Sequence, residues 1–268
     1  MASFSVVSNI AASNAQSNLQ ATSMGLNRAL SRLSSGFRIN QSGDDAAGLA
    51  VANTYRNDQA IMNQGIRNAN DALSKLQIKD SATANIATIL DRMATLASQA
   101  ASNSNGVDIT KLSSEFNTLT LEIDREAAVA SMTTSASFSV FVSSESTVSN
   151  GGVSGTIGAV ETSDLGITTT TFTTAAQAQT VLALVKSAIS SLGTVQNTIG
   201  TLQNRLQFGI NLAQSQVVNT AAAESRIRDA NIAEESANMT RFNILSQSGI
   251  AALAQANQSK SSVLALLR

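Results

Sequence analysis

One stretch in the C-terminal third decides the fold: residues 181–206, which read VLALVKSAISSLGTVQNTIGTLQNRL. Its apolar residues recur in alternating steps of four and three, at Val181, Val185, Ala188, Leu192, Val195, Ile199, Leu202 and Leu206. This spacing is a heptad repeat, the seam of a left-handed coiled coil. A helix over residues 175–228 would be about 80 Å long, so it requires partner helices beside it.

The N-terminal half carries three further helical patterns that can supply those partners. The first has an apolar stripe at Ala12, Ala15, Leu19, Thr22, Leu26, Leu30 and Leu33. Gly36 is placed to cap the end of this helix. A second helix is predicted after Asp44 and Asp45, whose carboxylates suit a helix N-terminus, and it fades near residues 103–106. A third helix is predicted to begin near Asp108.

The middle of the chain, residues 131–174, differs in kind because it contains no Lys or Arg and is rich in Ser, Thr and Gly. Residues 138–142 predict a short strand, residues 150–151 (Asn-Gly) a hairpin turn, and residues 153–160 a second, weak strand. We interpret this segment as a small β-rich or irregular excursion, too short for a sizeable second domain. Removing part of it is expected to change only the surface.

These patterns together predict a mainly α chain. Its fold class is a long antiparallel α-helical coiled-coil rod built from N- and C-terminal arms, with the small β-rich excursion in the middle. Only 3% of the residues are aromatic, which favours long helices in close contact over a globule with a large apolar core.

The residue types that the chain lacks exclude several classes of chemistry. The 268 residues include no Cys, no His and no Pro. The commonest metal ligand and general base and all thiolate chemistry are therefore missing, and we predict no enzyme activity, no cofactor and no metal. A net charge of −1 without a basic stripe argues against nucleic acid. No apolar run is longer than the five residues of 181–185, far short of the roughly 20 residues of a membrane span, so no membrane insertion is predicted.

Several long motifs at the two ends resemble those of bacterial flagellins. They are LSSGFRIN at 33–40, DDAAGLA at 44–50, NAQSNL at 14–19, RNANDA at 67–72, SRIRDAN at 225–231, AQANQ at 254–258 and VLALL at 263–267. The resemblance covers residues 1–130 and 176–268. It implies a structural subunit that polymerises into the extracellular flagellar filament for motility and is exported unfolded, without a cleaved signal.

The resemblance also implies partners and a division of the chain. The partners are many copies of the chain itself, the flagellar export apparatus, an export chaperone that binds the C-terminus, and the filament cap and junction proteins. Residues 1–43 and 231–268 would form the inner filament core, where the two terminal helices pair. Residues 44–130 and 175–230 would form the outer core, and residues 131–174 would be the variable segment.

The residues predicted to form the core and the assembly contacts come from the stripes and the motifs. They are Leu19, Leu26, Leu30, Leu33, Arg38, Asp44, Asp45, Leu192, Ile199, Leu202, Leu206, Leu253, Leu264 and Leu267. Arg38 either pairs with one of the two aspartates or is solvated. Glu234 and Glu235 are adjacent on a helix and point to different sides, so we interpret them as part of a solvated face or an interface.

The chain departs from the flagellin pattern at three places. Asn231 stands where the family usually carries Asp, and Lys260 where it usually carries Pro. The third departure lies in the segment that the animal flagellin receptor binds in many flagellins. Arg92, Leu96, Gln99 and Glu115 match that segment, but residues 94–95 are Ala-Thr where an Arg-Glu pair is usual. We therefore predict a weakened receptor site.

The sequence raises three alternatives to a filament subunit. The first is the hook–filament junction protein, which shares the terminal helices, although the intact AQANQ motif favours the filament subunit. The second is a peptidase in the middle segment, which the absence of the two helical His ligands of zinc peptidases excludes. The third is a secreted adhesin or a surface rod decorated through its Ser and Thr residues.

Overall fold

The structure, a computed structural model, describes residues 8–102, 108–143, 151–167 and 171–266, with side chains up to residue 259. The elements are α1 (Ile10–Ser35), α2 (Ala46–Ala101), α3 (Ile109–Val129), β1 (Ala136–Phe141), β2 (Gly152–Ile157), α4 (Ala175–Arg228) and α5 (Ile232–Leu266). The prediction of a mainly α chain with long packed helices and a small β element is confirmed. The predicted turn at residues 150–151 lies partly outside the described residues.

The chain forms two compact units. The terminal unit comprises residues 1–57 and 220–268, and the central unit comprises residues 58–219. The predicted boundaries between residues 43 and 44 and between residues 230 and 231 lie in the breaks between helices. The two units instead divide between residues 57 and 58, inside α2, and between residues 219 and 220, inside α4. The inner-core and outer-core segments stay predictions.

The heptad seam of α4 supplies one side of the core of the central unit. Seven of its eight predicted residues are buried, and the eighth, Val195, is partly buried against the same cluster. Residues of α2 such as Leu76, Ile86 and Leu90 belong to this cluster and are fully buried. The heptad prediction is confirmed, because the residues spaced at four and three are the ones removed from water.

By length and composition alone, α4 meets the criterion for a helix that could cross a membrane, and it is the single such helix in the part of the chain that is described. The core helix of a soluble protein can meet the same criterion. Much of the apolar character of α4 comes from heptad residues that are buried inside the central unit, including Leu192 and Leu202.

The helix ends follow the predicted capping residues. Gly36 closes α1 in a left-handed conformation, with φ at 75°, and its N–H donates to the carbonyl of Arg32 at 2.9 Å. The side chain of Asp108 caps α3 by accepting from the N–H of Lys111 at 3.2 Å. These bonds use backbone groups that a helix leaves unpaired at its ends, so local sequence decides where each helix stops.

The middle segment is a two-stranded antiparallel sheet, with Ala136 opposite Ile157 and Phe141 opposite Gly152. The sequence did not predict that this sheet would be part of the core. Its buried residues and those that follow it belong to the same cluster as the heptad seam: Val140, Val142, Val153, Ile157, Val160, Leu165, Ile167 and Phe172. The ring of Phe172 meets that of Phe116 on α3 edge to face, with centroids 5.5 Å apart. The segment therefore completes the core of the central unit.

Two glycines show how closely backbone packs in the central unit. A Cβ placed on Gly65 of α2 would clash with the carbonyl oxygen of Val142, whereas one placed on Gly193 of α4 meets nothing within 4 Å. We expect Gly65→Ala to lower the free energy of unfolding by about 1–3 kcal/mol, because backbone atoms would have to move. Gly193→Ala, the matched control, should raise it by roughly 0.5–1 kcal/mol through helix propensity. Urea unfolding measures both, and equal effects would contradict the close contact.

Candidate assembly surface

The two aspartates of the predicted N-terminal motif bind backbone groups. Oδ1 of Asp45 accepts from the N–H of Gly48 at 2.9 Å and so caps α2, as the sequence predicts. Oδ2 of Asp44 accepts from the N–H groups of Asn40 and Gln41, at 3.1 and 3.3 Å. Within the described residues, no group of three or more His, Cys, Asp or Glu is placed to hold a metal ion. The motif thus shapes the loop between α1 and α2.

The hydrogen bond from the backbone of Asn40 holds the pKa of Asp44 below its usual value of 3.8, and the nearby cations of Arg32 and Arg28 lower it further. A carboxylate with a lowered pKa stabilises the fold above its unfolded pKa, and this contribution is lost as the pH falls through the folded value. We therefore expect Asp44→Asn to destabilise the chain at neutral pH and to match the wild type in strong acid. Denaturant unfolding from about pH 7 to about pH 2 measures this, and a pH-independent difference would contradict it.

In the terminal unit, α1 and α5 pair along their length in antiparallel order. At one end Nη1 of Arg32 lies 3.0 Å from Oε1 of Glu235, and at the other Nδ2 of Asn9 donates to the carbonyl of Ala256 at 3.2 Å. Between these ends, Gly25 faces Phe242 and Leu19 faces Gly249. The pairing of the terminal helices that the resemblance implies is therefore present within one chain.

The predicted apolar stripe of α1 holds at most positions. Leu19, Leu26 and Leu33 are half-buried, and so is Leu253 on α5. Leu30 is 47% exposed, because the helix turns Ala29, which is 2% exposed, toward the inside. The role of Leu30 in assembly stays a prediction, as do those of Leu264 and Leu267, whose side chains lie outside the described residues.

Large apolar side chains remain exposed on the terminal unit of the single chain. They are Ile10, Met24, Leu30, Val51, Ile232, Ile244, Leu245 and Ile250. On α5, Ile244 and Leu245 line a shallow open groove with Ala237, Thr240 and Arg241. Because exposed apolar groups gain free energy when they are covered, the groove at Ile244 and Leu245 is suited to contact with another protein surface.

Arg38 connects the loop after α1 to the end of α4 inside the terminal unit. Its Nη2 donates to the carbonyl of Ile227 at 2.8 Å, and its backbone N–H donates to the carbonyl of Arg228 at 2.6 Å. Beside it, the guanidinium of Arg228 lies 4.2 Å from the ring centroid of Phe37. The structure gives Arg38 a carbonyl partner, which neither the aspartate pairing nor the solvated alternative anticipated. Any residue offers a carbonyl, so no sequence pattern marks such a partner.

The adjacent carboxylates at the start of α5 have different surroundings, as their positions on the helix predict. Glu234 is exposed, whereas Glu235 is 8% exposed and ion-paired with Arg32, so Glu234 fits the solvated alternative and Glu235 the interface alternative. Asn231, where the flagellin pattern usually has Asp, still caps this helix. Its Oδ1 accepts from the N–H groups of Ala233 and Glu234, at 3.2 and 3.4 Å.

The segment that resembles the receptor site lies in the central unit. Arg92 on α2 binds Glu115 on α3 through Nε at 2.9 Å and Nη2 at 2.6 Å, and both side chains are about half exposed. Leu96 is 1% exposed, so it belongs to the core. The weakened receptor site at Arg92, Leu96 and Glu115 stays a prediction.

Comparison with known proteins gives consistent matches over nearly the whole chain. Residues 6–139 match the bacterial flagellin N-terminal helical region, and residues 182–267 match the bacterial flagellin C-terminal helical region. A flagellin of Halalkalibacterium halodurans is 34% identical over 97% of this chain and 98% of its own length. The flagellar filament 33 kDa core protein of Treponema phagedenis is 32% identical with the same coverage. A crystal structure of Bacillus cereus flagellin, 32% identical, covers 59% of this chain and 94% of its own, with a TM-score of 0.48.

Proposed function

Because the chain belongs to the bacterial flagellin family, which implies a flagellar filament subunit, we propose that it polymerises through its terminal unit into an extracellular filament that serves motility. The family is a structural one and not a family of enzymes. The similarity of the two relatives extends over 98% of their own lengths, which supports the filament subunit over the hook–filament junction protein.

The observation that carries this proposal is the set of large apolar side chains that the paired terminal helices leave exposed. Ile244 is 59% exposed on α5. Burial of a side chain of this size contributes about 1.5–3 kcal/mol, so several such residues covered by neighbouring copies supply the free energy of a stable contact. A subunit in a helical polymer uses two different surfaces for its neighbours, which lets the contact repeat without closing.

Export in an unfolded state, without a cleaved signal, is the second part of the proposal. The faces through which α1 and α5 meet consist largely of small or polar residues, such as Ala29, Ser246 and Gly249. Helices of this kind persist through packing and not through intrinsic propensity, so they suit a chain that unfolds, travels and refolds. The export apparatus, a chaperone for the C-terminus, and the cap and junction proteins are the partners that this route requires.

Polymerisation of the purified chain tests the proposal directly. We expect the wild type to form filaments that sediment and are visible by electron microscopy, and Ile244→Asp to stay in the supernatant with an unchanged helical circular dichroism spectrum. Asn243→Asp adds the same charge at the exposed neighbouring position and should still polymerise. A wild type that never sediments, or an Ile244→Asp variant that polymerises normally, would refute this assembly surface.

A further inference from the structure

We propose that the partly buried ion pair between Arg32 and Glu235, together with the contact of Phe242 on Gly25, sets the register in which α5 pairs with α1. These contacts select the observed register against registers shifted by one heptad. The inference concerns two helices of one chain, so it goes beyond the filament role and does not depend on polymerisation.

Backbone bonds between residues 36–38 and 228–230 join α1 and α5 at one end, and side-chain contacts act on the register along the two helices, whose contacting faces repeat every seven residues. On α1 the inward-facing residues include Ala12, Ala15, Leu19, Thr22, Leu26, Ala29 and Leu33. On α5 they are Glu235, Asn238, Met239, Phe242, Ser246, Gly249, Leu253 and Ala256. Each set combines small residues with larger apolar ones at seven-residue spacing, so a shift of seven residues again brings apolar side chains opposite one another, apart from the contact of Phe242. Apolar packing alone therefore discriminates weakly between registers.

The ion pair between Arg32 and Glu235 does discriminate between the observed and the shifted registers. In the observed register Glu235 faces Arg32 at 3.0 Å and is almost fully buried. A shift of seven residues along α1 would place Glu235 opposite Gly25, which carries no charge, or beyond Ser35, where α1 ends. A buried carboxylate without a partner is strongly unfavourable, whereas the intact pair adds little net stability over apolar residues of similar size. Such a pair acts mainly on which register forms.

The contact of Phe242 discriminates by size. A Cβ on Gly25 would lie 2.6 Å from Cζ of Phe242, so the ring occupies the space left by the absent side chain. In the shifted registers the ring would face Arg32 or Asn18, and both have side chains where the ring now lies. The steric and the electrostatic contact therefore favour the same register.

Engineered disulfides can report the register, since the natural chain contains no Cys. A Cβ on Gly249 would lie 3.9 Å from Cβ of Leu19, inside the roughly 3.5–4.5 Å range of disulfides. The double variant Leu19→Cys/Gly249→Cys therefore reports the observed register. Ala12→Cys/Gly249→Cys and Leu19→Cys/Ala256→Cys report the two registers shifted by seven residues. Disulfide yield is measured on the full chain, both soluble and sedimented.

The decisive background is Arg32→Met/Glu235→Met, which removes both charges and keeps similar volume. We expect its thermal unfolding midpoint to stay at or above that of the wild type, while the yield of a shifted reporter rises roughly tenfold or more. The control background Arg92→Met/Glu115→Met removes the exposed ion pair of the central unit and should leave all three reporters unchanged. If Arg32→Met/Glu235→Met lowers the unfolding midpoint but leaves the disulfide yields of all three reporters unchanged, the ion pair stabilises the helices without selecting their register. That result, or a wild type without the expected disulfide between positions 19 and 249, overturns the proposal.

Discussion

Replacing Leu202 by Asp is expected to unfold the central unit and to abolish polymerisation. Leu202 lies in the middle of the heptad seam and is 2% exposed, and its Cδ2 would be 2.8 Å from a Cβ on Gly155 of β2. A carboxylate at this position would be enclosed by apolar groups of α4 and the sheet, without a partner. The penalty is several kcal/mol, a large part of the roughly 5–15 kcal/mol by which a domain is stable.

Asn204→Asp is the matched control for Leu202→Asp. Position 204 is exposed on the same helix, and the exchange adds one negative charge with almost no change in shape. We expect its free energy of unfolding to stay within about 0.5 kcal/mol of the wild type. Circular dichroism on heating and sedimentation of polymer separate the two variants. Filaments from Leu202→Asp would show that the heptad core is dispensable.

Ile157→Ala is expected to lower the free energy of unfolding of the central unit by about 2–5 kcal/mol. Ile157 ends β2 and is 2% exposed inside the cluster that contains the heptad seam. Truncating it leaves a cavity that its neighbours fill only in part. This expectation reverses the one from sequence, in which the middle segment contributed only surface.

The control for Ile157→Ala is the neighbouring position on the same strand. Thr156 is exposed on the opposite face of β2, so Thr156→Ala should change stability by less than about 0.5 kcal/mol. Denaturant unfolding monitored by circular dichroism compares the two. If both variants change the free energy of unfolding by the same small amount, the middle segment contributes only surface.

The candidate site was predictable wherever a residue acts on its own surroundings. Asp45 caps α2 by a bond to a residue three positions later, and Asn231 caps α5 in the same way. Arg38 and Glu235 were not predictable, because their partners lie 189 and 203 residues away. Either residue alone is compatible with a solvated position, and only the approach of a distant element selects one partner.

What the sequence by itself determined was the extent of α4 and its buried face, the end of α1 and the start of α3. The heptad steps through Leu192 and Leu206, the capping Gly36 and the capping Asp108 each depend on residues within one or two turns. Local hydrogen bonds and the period of the α-helix are sufficient to decide such features.

Only the tertiary structure decided which surfaces meet. It turned Ala29 instead of Leu30 inward on α1, placed Glu235 beside Arg32, and made Ile157 part of the central core. Weak apolar patterns with many small residues are compatible with several faces and registers that differ little in free energy. Contacts between residues distant in sequence select one face and one register, because a side chain is buried only when another part of the chain covers it.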